Sequence, residues 1–161
     1  MLQFHSIQWK NFLSTGNTWI KVDLDRHLNT LIVGENGTGK STILDALTFS
    51  LFGKPFRRIN KPQLVNSINE SDCLVEVSFT IGTVSYIIRR GIKPTVFDIL
   101  VNGEPLDQTA NIRDFQELLE TQILRLNYKS FTQVVILGSS TFVPFMQLSA
   151  ANRRDVIEDL L

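Results

Sequence analysis

Hydrophobic and polar residues alternate along several short segments of this chain, as they do in strands with one buried face. Apolar side chains occupy every second position of 75–81, and Gly82-Thr83 then predicts a turn into a return strand over 84–90. Another strand is predicted over 96–101, where Asn102-Gly103 follows as a strong hairpin signal. The middle third of the chain is therefore expected to be an antiparallel sheet.

The N-terminal third has a similar pattern. Strands are predicted over Phe4–Phe12 and Thr18–Leu24, joined by a turn at Ser14–Asn17. In the second strand apolar and charged residues alternate, which predicts one solvent-exposed face. The apolar runs Leu28–Val33 and Thr132–Leu137 each predict a further short buried strand.

Helical spacing occurs in three other segments. Residues Ser41–Phe52 are apolar on all sides, which predicts a largely buried helix capped by Gly53. Apolar residues from Ile112 to Ile123 follow helical spacing, and Ser149 is placed to cap a last helix that runs to Leu161. The expected fold class is therefore α/β (mixed α+β).

The segment Gly34–Thr42 reads GENGTGKST and fits G-x-x-x-x-G-K-[ST], the loop that binds nucleotide phosphates. It lies between a predicted strand and a predicted helix, which is the context that this motif requires. Glycines tolerate positive φ, so successive N–H groups can converge on an anion where the helix dipole adds to them. The phosphate-binding residues are predicted to be Gly34, Asn36, Gly37, Thr38, Gly39, Lys40, Ser41 and Thr42.

Three of these residues have distinct predicted roles. Lys40 is expected beside the β- and γ-phosphates and is the predicted catalytic residue, while the Ser41 hydroxyl is a predicted ligand of Mg²⁺. Asn36 either reaches the γ-phosphate or an opposing subunit, or is a turn residue with no such role. The expected cofactors are ATP and Mg²⁺.

Composition sets broader bounds. A chain of 161 residues with 43% hydrophobic residues suits one domain with a real core. Sixteen basic and sixteen acidic residues cancel, so net charge neither supports nor excludes nucleic-acid binding. Cys73 is the single cysteine, which excludes an intrachain disulfide. No apolar run reaches the ~18 residues of a membrane span, and a cytoplasmic setting is expected.

One part of an ATPase is missing from the sequence. Such enzymes hold Mg²⁺ or polarise water with a carboxylate at the end of a second apolar strand. No predicted strand after the glycine loop ends in Asp or Glu. The pattern therefore predicts an N-terminal piece of a longer protein, with residues 149–161 leading toward a coiled coil.

The chain resembles the N-terminal lobe of SMC-like DNA-repair ATPases, which partner a nuclease at double-strand breaks and include the bacterial SbcC type and a phage branch. The residues that carry this resemblance are Asn11–Ser14, Gly34–Thr42, Ala46–Arg57, Arg89–Gly91, Phe131–Gly138 and Phe145–Ser149.

The resemblance implies an ABC-type ATPase head that is split in sequence. Its partners would be its own C-terminal lobe beyond a coiled coil, a second head in a homodimer, a nuclease subunit and double-stranded DNA, with no membrane. Two positions depart from the family. Leu13 stands where many relatives carry Arg, which leaves Ser14 as the polar candidate beside the nucleotide. Ser139 stands where relatives place a Gln near Mg²⁺, so it is a predicted metal contact through a water.

Basic residues cluster after the predicted buried helix. Lys54, Arg57, Arg58 and Lys61 lie within eight residues and either contact DNA phosphates or form a solvated loop. Because a helix rises ~1.5 Å per residue, this loop is expected roughly 18 Å from the phosphates. Arg89 and Arg90 end a predicted strand and either form a surface pair, which is the favoured interpretation, or contact DNA.

Two alternative functions stay open at this point. A small P-loop kinase would share the glycine loop, although the antiparallel sheet disfavours it; phosphate transfer to a small acceptor would support it. An SMC head that organises chromosomes without a nuclease would share the whole pattern, and capture of a cognate nuclease would exclude it.

Overall fold

The computed structural model describes residues 1–106, 112–136 and 147–160, with only the backbone at 159 and 160. The chain divides into two compact units, Met1–Asp107 and Gln108–Leu161. No helix in these described ranges is both long and apolar enough to cross a membrane.

The first unit is built on a six-stranded antiparallel sheet in the order β2-β1-β3-β4-β5-β6. Its strands are β1 (Leu2–Lys10), β2 (Ile20–Asp23), β3 (Cys73–Ile81), β4 (Val84–Ile92), β5 (Val96–Val101) and β6 (Glu104–Pro105). The turns at Gly82-Thr83 and Asn102-Gly103 join paired strands, which confirms both predicted hairpins. The mixed α/β class is confirmed as well.

One face of the sheet is buried under helix α1 (Thr42–Phe52), which contacts β1, β3 and β4. Val75, Val77 and Phe79 on β3 are fully buried, as their alternation predicted. Gly53 ends the helix at φ 68°, and its N–H donates to the Phe49 carbonyl at 2.8 Å. The buried helix and its glycine cap are both confirmed.

Two predicted strands are wrong. Residues 28–33 form no strand, and Leu28, Leu31 and Val33 are exposed. A strand needs a neighbour for its backbone hydrogen bonds, and no described segment pairs with this one. Residues 132–134 belong to helix α3 (Tyr128–Val134), because the Asn127 side chain accepts from the Ser130 N–H at 2.9 Å and caps that helix.

The described residues of the second unit are mainly helical. It contains α2 (Ile112–Leu118), a π-helical segment (Leu119–Leu124), α3 and α4 (Ala150–Leu160). The Ser149 hydroxyl accepts from the Asn152 N–H at 3.3 Å, which confirms the predicted cap of the last helix. Lys129 on α3 donates to Asn152 and to Asp155 on α4, so these two helices are tied together.

Arg90 departs from its expected surface position. It is buried, its guanidinium lies 3.7 Å from the centre of the Phe97 ring, and its Nε donates to the Ser50 carbonyl at 3.0 Å. A cation at the C-terminal end of α1 is favoured by the helix dipole. Arg89, on the opposite face of β4, pairs with Glu76 at 2.7 Å. Arg90 therefore joins α1 to the sheet and is no surface residue.

Cys73 should resist alkylation in the folded protein. Its side chain is fully buried, its thiol donates to the Leu64 carbonyl, and burial raises the pKa of the thiol from 9.0 to about 12. The native thiol keeps a proton that the unfolded chain loses above pH 9, so we expect stability to fall as pH rises past 9. Labelling by iodoacetamide at about pH 8 should be roughly 10³-fold slower than in denaturant. Complete labelling of the native protein within the time the denatured chain needs would contradict this.

Candidate phosphate-binding site

The glycine loop lies between the exposed segment 28–33 and the N-terminus of α1. Gly37 and Gly39 have φ of 90° and 89°, a region that side-chain-bearing residues rarely adopt. Gly34 is tightly packed for a different reason, because a Cβ there would approach the Thr38 hydroxyl to 2.8 Å and force it to move. The two glycines that the motif fixes, Gly34 and Gly39, and Gly37 between them thus each have a local structural cause.

Lys40 folds back onto the loop. Its Nζ donates to the carbonyls of Gly34 at 2.7 Å and Glu35 at 2.6 Å. The Thr38 hydroxyl donates to the Glu35 carbonyl at 2.8 Å, which tightens the same turn. The ammonium group is therefore held over the loop by two neutral acceptors, and Lys40 is half-buried.

The helix N-terminus supplies further donors. Ser41 is exposed at the N-cap, and Thr42 behind it is buried with its N–H bonded to the Gly39 carbonyl at 2.9 Å. The first N–H groups of a helix have no intrahelical partner, and the dipole makes this end positive. An anion at the loop would thus meet the Lys40 ammonium, the Ser41 hydroxyl and the positive end of α1.

A cavity of about 540 Å³ opens at this loop. The residues that line it are Leu13, Ser14, Asn36, Gly37, Gly39, Lys40, Ser41, Thr42, Arg57, Ile59, Gln63, Val65 and Ser67. Six of the eight predicted phosphate-binding residues are in this lining, and Gly34 and Thr38 shape the loop behind it. Ser14, predicted beside the nucleotide, lines the cavity as well. Ser139 lies outside the described residues.

Arg57 lies closer to the phosphate loop than the sequence predicted for the basic segment. The chain folds back along α1 after Gly53, so Arg57 lines the same cavity as Lys40. The Asp45 carboxylate, fully buried in the first turns of α1, accepts from the Arg57 N–H at 2.8 Å and from its Nε at 2.6 Å. A buried carboxylate needs such partners, and this one holds Arg57 near the phosphate loop. The estimate of roughly 18 Å assumed a chain that continued away from the helix.

The rest of the basic segment faces outward. Lys54, Arg58 and Lys61 are exposed, and neither Arg58 nor Lys61 has an acidic partner in the described part of the chain. The four cations therefore share one short segment, but one of them is engaged by Asp45.

Sequence patterns did not identify the cavity-lining residues that follow Arg57 in the chain. Ile59, Gln63, Val65 and Ser67 line the cavity, yet none belongs to a motif. Gln63 is set by a short 3-10 helix over Lys61–Leu64, where its side-chain oxygen accepts from the Asn60 N–H at 3.2 Å. No signal in the sequence pointed to these residues, because the chain reversal after α1 brings them there.

The lining suits a nucleoside triphosphate. An ammonium, a guanidinium and several hydroxyls match polyphosphate oxygens, and apolar Leu13, Ile59 and Val65 match an aromatic base. The glycine cradle leaves open space at Gly37, where an added Cβ would meet no atom within 4 Å. No carboxylate occurs among the described lining residues, so Ser41 is the one predicted Mg²⁺ ligand there.

The AAA domain family model matches residues 6–161 of this chain. Exonuclease subunit 2 of Enterobacteria phage T4 is 46% identical over 159 residues, which is 99% of this chain and 28% of the phage protein. The SbcC component of the SbcCD nuclease of Bacillus subtilis is 31% identical over 144 residues, covering 80% of this chain and 12% of that protein. The chain thus spans less than a third of the length of these relatives.

Solved structures agree with the fold. The Smc head domain of Pyrococcus furiosus, with an extended coiled coil and bound to the C-terminal domain of ScpA, superposes with a TM-score of 0.66 at 25% identity. That match covers 99% of this chain and 42% of the Smc chain. The chain therefore belongs to the AAA domain family, and its resemblance to the SMC-like ATPases of DNA-repair nucleases is confirmed.

Proposed function

We propose that this chain is the ATP-binding N-terminal lobe of the ATPase subunit of a DNA repair and recombination nuclease complex. The observation that carries the proposal is the glycine loop at the N-terminus of α1, with Lys40 held over it and lining the cavity. The identity to a phage exonuclease subunit and to an SbcC protein supports the nuclease context.

The residues of this chain would act by exchange of hydrogen-bond partners. Lys40 would leave the Gly34 and Glu35 carbonyls and donate to phosphate oxygens, which bind an ammonium more strongly because they are charged. Ser41 would offer its hydroxyl oxygen to Mg²⁺, which neutralises phosphate charge when bound. Asn36, which lines the cavity, would donate to the γ-phosphate or to an opposing subunit.

The C-terminal lobe of the same protein would complete this N-terminal lobe. The apolar run Leu28–Val33 lies exposed directly before the phosphate loop, and it has the composition of a buried strand. A strand of the second lobe, paired with this run, would bury its side chains and satisfy its backbone. That strand would also bring the carboxylate that the described cavity lining lacks.

The remaining partners follow from the proposed complex. A second head would close over ATP, and this ATP-driven dimerisation would control a nuclease subunit and its grip on double-stranded DNA. One solved structure of similar fold, with a TM-score of 0.66, comes from work on SMC ATPases that undergo ATP-driven dimerization and DNA-stimulated activation.

A chromosome-organising SMC head without a nuclease is the second candidate, favoured by the fold alone. Co-purification decides between the two: the tagged full-length subunit should retain the nuclease subunit encoded with it, in a salt-resistant complex. Retention of a ScpA-like protein in place of any nuclease would favour the SMC head. The antiparallel sheet disfavours a small P-loop kinase. Transfer of phosphate to a small acceptor would support the kinase instead.

Arg58 and Lys61 are expected to contact DNA phosphates. Changing both to Ala should lower the slope of log affinity against log salt by up to about two units, since each phosphate contact contributes about 0.9. Arg57 is left unchanged because Asp45 engages it. The measurement is duplex binding by the full complex at several salt concentrations.

The control is Lys21→Ala with Arg26→Ala, which removes the same charge from β2 and the loop that follows it. Both of those cations pair with Asp23 on the surface, so this double variant should keep the original slope. ATP affinity should stay the same in both double variants. Equal slopes for Arg58→Ala with Lys61→Ala and for the original complex would show that this segment is a solvated loop that does not contact DNA.

A further inference from the structure

Leu13 adopts a backbone conformation that its side chain disfavours. Its φ is 55°, in the left-handed region where a bulky residue is an outlier. Leu13 and its neighbour Ser14 line the cavity beside the phosphate loop. Strain of this kind persists only where the surrounding structure imposes it, and it concentrates at binding sites.

Asn66 is one of two buried amides that form hydrogen bonds around this turn. Its Nδ2 donates to the Leu13 carbonyl at 3.2 Å, and its Oδ1 accepts from the N–H groups of Ile68 at 2.9 Å and Asn69 at 3.0 Å. Its backbone N–H donates to the Asn11 carbonyl at 2.9 Å. The polar groups of this residue thus join two segments of the cavity wall.

Asn11 is the second buried amide at this turn. It is 1% exposed, and its Oδ1 accepts from the Asn69 side chain at 2.7 Å while its Nδ2 donates to Asn17 Oδ1 at 2.9 Å and to the Asp72 carbonyl at 3.3 Å. Its own φ of 49° is one that Asn tolerates better than most residues. Asn11 therefore holds the start of the strained turn against the segment that contains Asn69 and Asp72.

Backbone contacts run beside these amides. The Leu13 N–H donates to the Leu64 carbonyl at 2.7 Å, and Phe12 forms an isolated antiparallel bridge with Val65. The strained turn is thereby fixed against the segment that supplies Val65 and Ser67 to the cavity. These hydrogen bonds involve no residue of α1 or of the phosphate loop.

We propose that Asn66 and Asn11 are positioning residues of the nucleotide site: they hold Leu13 in its left-handed conformation and so set the wall formed by Leu13, Ser14, Val65 and Ser67. The inference rests on the proposed ATP binding. It assigns no contact with ATP to either asparagine, and it explains why a strained Leu lies at the cavity.

The test is a double-mutant cycle in the full-length subunit, with the dissociation constant of a fluorescent ATP analogue as its readout. Asn66→Asp is isosteric and keeps the acceptor for Ile68 and Asn69, but it loses the donor to Leu13 and sets an oxygen against that carbonyl. We expect affinity to fall about tenfold. Leu13→Gly needs no support at positive φ, so in that background Asn66→Asp should change affinity by no more than about twofold.

Several outcomes separate the possibilities. Asn102→Asp, in the exposed β5–β6 turn, makes the same charge change and keeps the acceptor for the Ser85 N–H, so it should leave affinity unaltered. Equal loss from Asn66→Asp in both backgrounds, or no loss at all, would overturn the inference. Where Asn66→Asp fails to fold, Asn17→Ala removes one exposed partner of Asn11, and its smaller loss of about twofold should likewise vanish with Leu13→Gly. Absence of binding by the unmodified subunit would overturn the proposed function itself.

Discussion

Lys40→Ala is expected to lower ATP affinity by about 100-fold or more without changing the fold, since a hydrogen bond to a charged group contributes roughly 1.5–3 kcal/mol and this one also supplies the charge. In the structure, Lys40 donates to the Gly34 and Glu35 carbonyls, which lie in an exposed loop. Its removal leaves both carbonyls accessible to water. Calorimetric titration of ATP into the assembled head measures the loss.

Lys21→Ala is the matched control, because it removes an exposed lysine from β2 with the same change in charge. It should bind ATP like the original protein, and both variants should unfold at an unchanged temperature. If Lys40→Ala bound ATP as tightly as the original head, the assignment of Gly34–Thr42 as the phosphate loop would be wrong.

Residues 1–161 alone should hydrolyse almost no ATP, and adding the C-terminal lobe should raise the rate by a factor on the order of 10³ or more. The reason is chemical: the described lining of the cavity holds no carboxylate to orient water, and no group from a second head closes over the γ-phosphate. The rate should also rise steeply with protein concentration, because two heads must meet. Phosphate release measured across a concentration series is the readout.

The fragment carrying Lys40→Ala, with and without the added lobe, distinguishes this chain's activity from a contaminant. A second control replaces Leu31 and Val33 with Ser, which should weaken capture of the C-terminal lobe while the phosphate-loop residues stay intact. Robust hydrolysis by residues 1–161 alone, lost in Lys40→Ala, would show that the catalytic groups lie within this chain.

The phosphate loop was predictable because its requirements are local. Positive φ at Gly37 and Gly39, the close approach at Gly34 and the helix that starts at Thr42 depend on residues within a few positions of one another. The β3–β4 and β5–β6 hairpins were predictable for the same reason. The basic segment was harder to interpret, since its distance from the loop depends on a turn that Asp45 and Arg57 stabilise across twelve positions of sequence.

The strand errors have a related cause. An apolar run such as Leu28–Val33 indicates burial but does not show what covers it, and a strand exists only once a neighbour pairs with it. Thr132 and Val134 carry β-favouring side chains, yet this segment is helical behind the Asn127 cap and the buried Phe131. Local preference was overridden in the second case, while in the first no described segment offered a partner.

By itself, the sequence determined the glycine loop with Lys40, the antiparallel hairpins, the buried helix and the family resemblance, because each depends on short-range geometry or on an ordered set of motifs. Tertiary structure decided the rest of the site. It brought Arg57, Ile59, Gln63 and Val65 to the cavity, buried Arg90 against Ser50 and Phe97, and joined Asn11 to Asn66 behind Leu13. These contacts link residues that are far apart in the chain, and such pairings are set by packing and hydrogen bonding that no local pattern records.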